Sequence, residues 1–310
     1  MRTTASLSDS ELPGARLANR VARWARALSV LALALLCGCS APALGFLNAH
    51  GPVAASERRL FVIVCLVMLF VIGPVLLLTP LFAWHYRYGN RRSAFRPQWQ
   101  FSWPLEFFIW VPPTLIVIGL AVLLWHEARE LDPYTPLRST LAPLEVQAVG
   151  FDWKWLFIYP EAHVASVNEL VIPAGRPIHL SLTSATVMQS MLVPQLAGQI
   201  YAMAGMRTQL NLQADRIGSF LGENTQFNGV GFPEERFQVV SVQGAAFDRW
   251  IKDLHNTQLP LDAAALAKLA AKAAAPHPIF FSTAPPHLFE HIIARARWGS
   301  EVSDAAGGHP

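Results

Sequence analysis

The chain has 310 residues but only three cysteines, Cys37, Cys39 and Cys65, all in its first fifth. Everything beyond Cys65 therefore lacks both a disulfide and a thiolate metal ligand. Charge is scarce as well, with 15% charged against 53% hydrophobic residues, outside the range of soluble domains. The net charge of +3 comes from 24 basic and 21 acidic side chains dispersed along the chain, which excludes the basic stripe of a nucleic-acid binder. A lipid bilayer is the expected environment for at least part of the molecule.

What is present begins with an arginine-rich start, Arg2, Arg16, Arg20, Arg23 and Arg26, followed by a short apolar run that ends in small residues and cysteine. This is the pattern of a signal peptide over 1–38. Cys39, preceded by the small Gly38, fits the site at which bacterial lipoproteins are cleaved and lipidated, whereas Cys37 follows the bulky Leu36. The other reading of the segment is an uncleaved hydrophobic stretch with two incidental cysteines.

After an outward segment over 39–59, residues 60–82 contain no charged side chain, enough helix to cross a hydrocarbon core of about 30 Å. A loop over 83–102 carries Arg87, Arg91, Arg92 and Arg96 without an acidic residue, so the positive-inside rule places it in the cytoplasm. A second span follows over 103–125, with Trp84, Trp99, Trp103 and Trp125 where interfacial aromatic belts sit. The remainder of the chain then faces outward. Glu106 lies about one turn inside the second span; it either faces protein or water as part of a proton path, or snorkels to the headgroups, and position alone leaves both open. Pro112-Pro113 interrupts the helix ladder, which suits a helix supported by a larger partner.

From about residue 143 the apolar runs become short, alternating and bounded by turn residues. Strands are expected over 144–159, 166–172, 177–182, 209–213 and 237–242, forming a small barrel or sandwich within 126–244. Trp153 and Trp155 would share a strand face by period two. A helical region over 245–310 follows, with helices expected over 245–254, 262–275 and 286–298; the alanine-rich middle also reads as a flexible linker. The methionines at 188, 191, 203 and 206 are expected to fill packing gaps, and His163, His179 and His255 lack paired ligands at metal spacing.

Glu106, Trp110 and Pro113 stand at the spacing E-x3-W-x2-P, and the runs at 152–160 and 199–206 accompany them. With these motifs the chain resembles subunit II of the haem-copper respiratory oxidases, in the ubiquinol-oxidising, cytochrome bo-type branch, from about Cys39 to Trp298. The resemblance implies two transmembrane helices, an all-β cupredoxin-like barrel and a C-terminal helical appendage. It also implies a bacterial inner-membrane location with the C-terminal domain in the periplasm.

Copper-bearing relatives in the cytochrome c branch hold a dinuclear copper centre through two cysteines, two histidines, a methionine and a glutamate carbonyl. Here Gln189 stands at the first histidine, Asn224 and Asn228 at the cysteines, Gln226 at the glutamate, Phe232 at the second histidine and Glu235 approximately at the methionine. Without thiolates the centre cannot assemble, whatever the register of the loop. The amides left there are expected to hydrogen-bond to one another, because polar groups in a closed loop need partners.

The resemblance thus implies a non-redox subunit of a ubiquinol oxidase that reduces O2 to water and translocates protons. Haems and catalytic copper would lie in a partner subunit I, with ubiquinol as the substrate of the complex, no cofactor or metal on this chain, no catalytic residue of its own and no cytochrome c partner. Glu106 would contribute to proton uptake. Two other functions are weighed against it: a membrane-anchored cupredoxin-like lipoprotein acting in binding or assembly, and a copper-bearing cytochrome c oxidase subunit.

Overall fold

The computed structural model describes residues 45–88, 90 and 98–296; Cys37, Cys39 and the expected signal peptide lie outside them. Helix α1 (Pro52–His85) opens with a proline in its first turn, where the missing N–H has no helical acceptor to satisfy. Helix α2 (Trp103–Glu130) runs on past Trp125. At about 1.5 Å per residue each exceeds a hydrocarbon core of about 30 Å. No residue of either apolar window is buried, despite high mean hydropathy of 3.2 and 2.4. The only ion pair between the two helices among the described residues joins Arg59 to the buried Glu127 at 3.5 Å, near the start of α1 and the end of α2.

Two sheets follow, made of β1 (Leu144–Phe151), β2 (Lys154–Tyr159), β3 (Val164–Val167), β4 (Glu169–Pro173), β5 (Ile178–Ser184), β6 (Gln189–Val193), β7 (Ala197–Ala202), β8 (Thr208–Leu212), β9 (Gly218–Asn224), β10 (Arg236–Val242) and β11 (Ile279–Phe281). Their orders are β11-β3-β2-β1-β5-β8 and β4-β10-β9-β6-β7. The pairs β1/β5 and β4/β10 are parallel and the others antiparallel. Trp155, Phe157, Leu180, Leu182, Met191, Leu210, Phe220 and Phe237 fill the space between the sheets.

The first sheet is buried on its other face too. Leu156, Ile158, Val149 and Val167 form a second core beneath Leu261, Leu269, Phe281 and Phe289 of the C-terminal region. Strand β2 is therefore buried at every position, which is why its sequence after Lys154 runs without polar alternation. The C-terminal region comprises α3 (Gly244–His255), α4 (Ala263–Ala270), β11 and a helical stretch over 288–296. Two membrane-capable helices, a β-sandwich and a helical appendage make up the expected fold class.

Four local expectations are corrected. The single strand expected over 166–172 divides at Asn168, φ +58°, into β3 and β4, which lie in different sheets. Residues 144–159 form two strands, because Asp152 and Trp153 make the turn of a hairpin in which Phe151 pairs with Lys154. Trp153 has a φ of +64° there, so it does not share a strand face with the fully buried Trp155. Helix α4 stops at Ala270, and the chain turns extended at Ala271 because buried polar groups take the following carbonyls. The Lys154 Nζ donates to Ala271 O at 2.9 Å and Ala273 O at 2.6 Å, and Asn168 Nδ2 donates to Ala275 O at 2.9 Å.

The β1–β2 turn and the β5–β6, β7–β8 and β9–β10 loops gather at one end of the sandwich, since β5 runs parallel to β1 and antiparallel to β8, and β6 pairs β9 at Met191 and Asn224. The helices join at the other end. His50 N donates to Gln195 O at 2.8 Å, and a Cβ on Gly51 would run into the carbonyl oxygens of Gln213 and Leu196. That close approach of backbone to backbone requires glycine.

Lys154 is 3% exposed and its third bond goes to Asp152 O at 3.0 Å. Lys154→Met should leave three carbonyls without their ammonium donor and cost about 2 kcal/mol or more. Limited proteolysis of the full chain in detergent checks this: early cleavage near 271–275 is expected, and an unchanged digestion pattern would contradict the assignment.

Candidate functional site at the degenerate metal loop

Strand β9 ends at Asn224 and β10 begins at Arg236; the connection contains a 3-10 turn over Phe232–Glu234. Glu235 sits at the foot of this loop, 1% exposed. Its Oε2 accepts from Asn224 Nδ2 at 2.9 Å and from Asn228 Nδ2 at 2.6 Å. Asn224 is saturated. Its Oδ1 accepts from the backbone N–H of Ser190 at 2.9 Å and of Gln226 at 3.0 Å, while Nδ2 also reaches Gln226 O at 2.9 Å. The backbone N–H of Asn224 donates to Glu235 O at 3.2 Å, and the Thr225 hydroxyl to that of Ser190 at 2.9 Å.

Of the six residues marked out in the sequence, the structure ties Asn224, Asn228 and Glu235 directly through side chains, and Gln226 through its backbone. Gln189, wholly buried at the start of β6, turns instead to the β1–β2 hairpin and donates to Phe151 O at 2.8 Å. Phe232 packs on Phe227, ring centroids 5.7 Å apart. Trp153 covers the loop: a Cβ on Gly231 would collide with its ring, which fixes glycine at that position. Around this cluster Trp153 Nε1, Gln189 Oε1, Asn228 Oδ1 and Glu235 Oε1 are buried without a hydrogen-bond partner among the described residues.

Burial is the main reason the Glu235 carboxyl is pushed up to about 7. The Asn228 and Asn224 donors oppose that shift, Asp152 adds to it, and the Lys154 ammonium opposes it weakly. Burial likewise lowers Lys154 from its ordinary value, against the pull of Asp152 and Glu235. Two features escaped the sequence reading: that Glu235 is the centre of the network, and that Lys154 supplies a buried cation beside it. Lysine in a strand next to tryptophans was the available signal.

The donor set does not suit a dinuclear copper centre. The loop offers amides, a carboxylate and a phenyl ring, whereas such a centre needs bridging sulfur and imidazole. Among the described residues no three His, Cys, Asp or Glu side chains converge. His179 is engaged with Asn211 Oδ1 at 3.0 Å, and the carbonyl of His163 accepts from Ala284 N at 2.7 Å. Met191 is buried in the core, while Met188 and Met206 are exposed.

Glu106, in the first turn of α2, accepts from Trp110 Nε1 at 3.0 Å on Oε2, so the motif's first two residues touch. Cys65 is exposed on α1, and Cys39 lies outside the described residues.

A carboxyl whose folded-state value lies above 4.5 binds its proton more tightly folded than unfolded. Stability from this group is therefore highest below about 4.5 and is lost as pH rises to about 7, by on the order of 3 kcal/mol. Glu235→Gln should gain melting temperature relative to the parent across that window and keep a constant difference above it. Thermal melts of the detergent-solubilised chain at stepped pH check this; a difference that does not vary with pH would contradict it.

Residues 161–239 match the family described as cytochrome c oxidase subunit II, periplasmic domain. The ubiquinol oxidase subunit 2 of Acetobacter aceti is 39% identical over 294 residues, covering 94% of each chain. The cytochrome bo(3) ubiquinol oxidase subunit 2 of Pseudomonas aeruginosa is 37% identical over 91% of this chain and 84% of its own. The quinol oxidase subunit 2 of Bacillus subtilis is 37% identical over 76% of this chain and 74% of its own. With near-complete coverage at such identity, and a cupredoxin-like sandwich behind two membrane-capable helices, the chain belongs to the ubiquinol oxidase subunit 2 family.

Proposed function

We propose that this chain is the non-redox second subunit of a bacterial quinol oxidase complex, which oxidises ubiquinol, reduces O2 to water and translocates protons. The observation that carries the non-redox assignment is the Glu235 seat. Amide–carboxylate bonds close the loop that holds copper in the cytochrome c branch, so the barrel's side chains offer no electron-carrying site. Haems and catalytic copper then belong to a partner subunit I, and cytochrome c is not a partner.

The chain anchors in the inner membrane through α1 and α2. The arginines between the helices favour a cytoplasmic loop and a periplasmic sandwich. Apolar faces left open along both helices are surfaces for lipid and for subunit I. Glu106 contributes to proton uptake from the cytoplasmic side, and Cys39 carries the lipid anchor after removal of residues 1–38. The segments 39–59, 60–82, 83–102, 103–125, 126–244 and 245–310 then serve as outward lead, first span, cytoplasmic loop, second span, periplasmic domain and helical region.

The test is haem and metal content of the purified complex, with oxygen consumption on ubiquinol and on reduced cytochrome c. Haem, a single copper and activity with quinol alone are expected. Additional copper, oxidation of cytochrome c, or isolation of the chain as a lone colourless protein would each overturn the assignment.

A further inference from the structure

The second membrane helix places an indole donor against its one carboxylate near the cytoplasmic end. Side chains on a helix lean toward its N-terminus, so a residue one turn deeper reaches back over the turn before it. Trp110 does this: its Nε1 donates to Glu106 Oε2 at 3.0 Å across four residues. An indole N–H only donates, and in apolar surroundings it needs an acceptor. No hydrogen bond from the described residues reaches the other oxygen, Oε1, so the carboxylate has one anchored and one open end.

The helix beyond this pair is also polar in its backbone. Pro112 and Pro113 supply no N–H, which deprives the carbonyls of Phe108 and Ile109 of their helical donors. Glu106 and Pro113 lie seven residues apart and hence on one face, where the freed Ile109 carbonyl opens. The Thr114 hydroxyl caps the carbonyl of Trp110 at 2.7 Å and holds the turn that carries the indole.

We infer that Trp110 is the positioning residue for proton uptake through Glu106, fixing one carboxylate oxygen so that the other alone exchanges protons. This rests on the proposed role of Glu106. In that role Oε1 takes a proton from cytoplasmic water and gives the same proton to an acceptor on the partner subunit, leaving the carboxylate unchanged. A tryptophan that merely sat in the interfacial aromatic belt would spend its N–H on headgroups or water, so losing it would act alike with or without the Glu106 carboxylate.

The experiment measures oxygen consumption on ubiquinol by the purified complex carrying Trp110→Phe, Glu106→Gln or both, with the haem spectrum reporting assembly. Benzothienylalanine at position 110, which keeps the shape of indole without the N–H, serves where phenylalanine impairs assembly. Loss of the N–H should lower kcat about fivefold, the worth of one ordinary hydrogen bond, with KM for ubiquinol unchanged. The loss should vanish in the Glu106→Gln background, where there is no carboxylate to position.

Parental kcat for Trp110→Phe and for the benzothienyl chain would overturn the inference, as would an equal loss in both backgrounds. Full turnover of Glu106→Gln would instead overturn the role of Glu106 itself, and the inference with it. A slow Glu106→Gln beside a normal Trp110→Phe removes only the positioning role.

Discussion

A carboxylate taken out of water must be neutralised, paired or well hydrogen-bonded, and Glu235 meets that demand with two asparagine amides on Oε2 and a burial that favours its neutral form, Oε1 having no partner among the described residues. The rest of the loop follows from this contact. Asn224 spends its remaining capacity on Ser190 and Gln226, which stitches β9 to β6 and turns the chain toward Asn228. The buried Lys154 ammonium is attracted electrostatically by Asp152 and Glu235, and its donors extend to the carbonyls of the C-terminal segment. One polar cluster thus fixes both the loop end of the sandwich and the cover over its outer core. The loop is ordered by several amide bonds acting together, although Trp153 Nε1, Gln189 Oε1, Asn228 Oδ1 and Glu235 Oε1 stay buried without a partner among the described residues.

The membrane half is organised by the opposite constraint. Neither helix buries its apolar stretch within the chain, and Arg59 with Glu127 links them near one end only. Four prolines lie inside the two helices, and the carbonyls they release need partners that a lone hairpin in lipid does not supply. Both features fit a helix pair completed by another membrane protein. They also explain why the sandwich is fastened to α1 through backbone contacts at His50 and Gly51, since the helix pair itself is a weak foundation.

Much of this was legible in the residues. The uncharged run over 60–82 and the apolar stretch between Glu106 and Glu127 admit little besides spans, and the absence of cysteine beyond Cys65 excludes thiolate ligands from the loop whatever its register. The hairpin at Asp152-Trp153 was hidden because β2 is buried on both faces and its turn has neither glycine nor proline. Strands β6, β7 and β9 carry glutamine, serine, glycine and asparagine where strand propensity favours branched and aromatic residues, so tertiary pairing and not local preference makes them. The alanine-rich stretch has helical propensity throughout, yet residues 271–275 leave the helix because Lys154 and Asn168 claim alternate carbonyls. No local pattern announces a contact that spans more than a hundred residues.

The central claim is that a carboxylate–amide network centred on Glu235 orders the loop between β9 and β10. A cryo-electron microscopy structure of the purified complex, at a resolution that separates side-chain oxygens, tests it most directly. The account predicts Glu235 buried, with Asn224 and Asn228 both within hydrogen-bond distance of one of its oxygens. A Glu235 turned out to solvent, or strong metal density bridging Gln189 and Asn228, would contradict it.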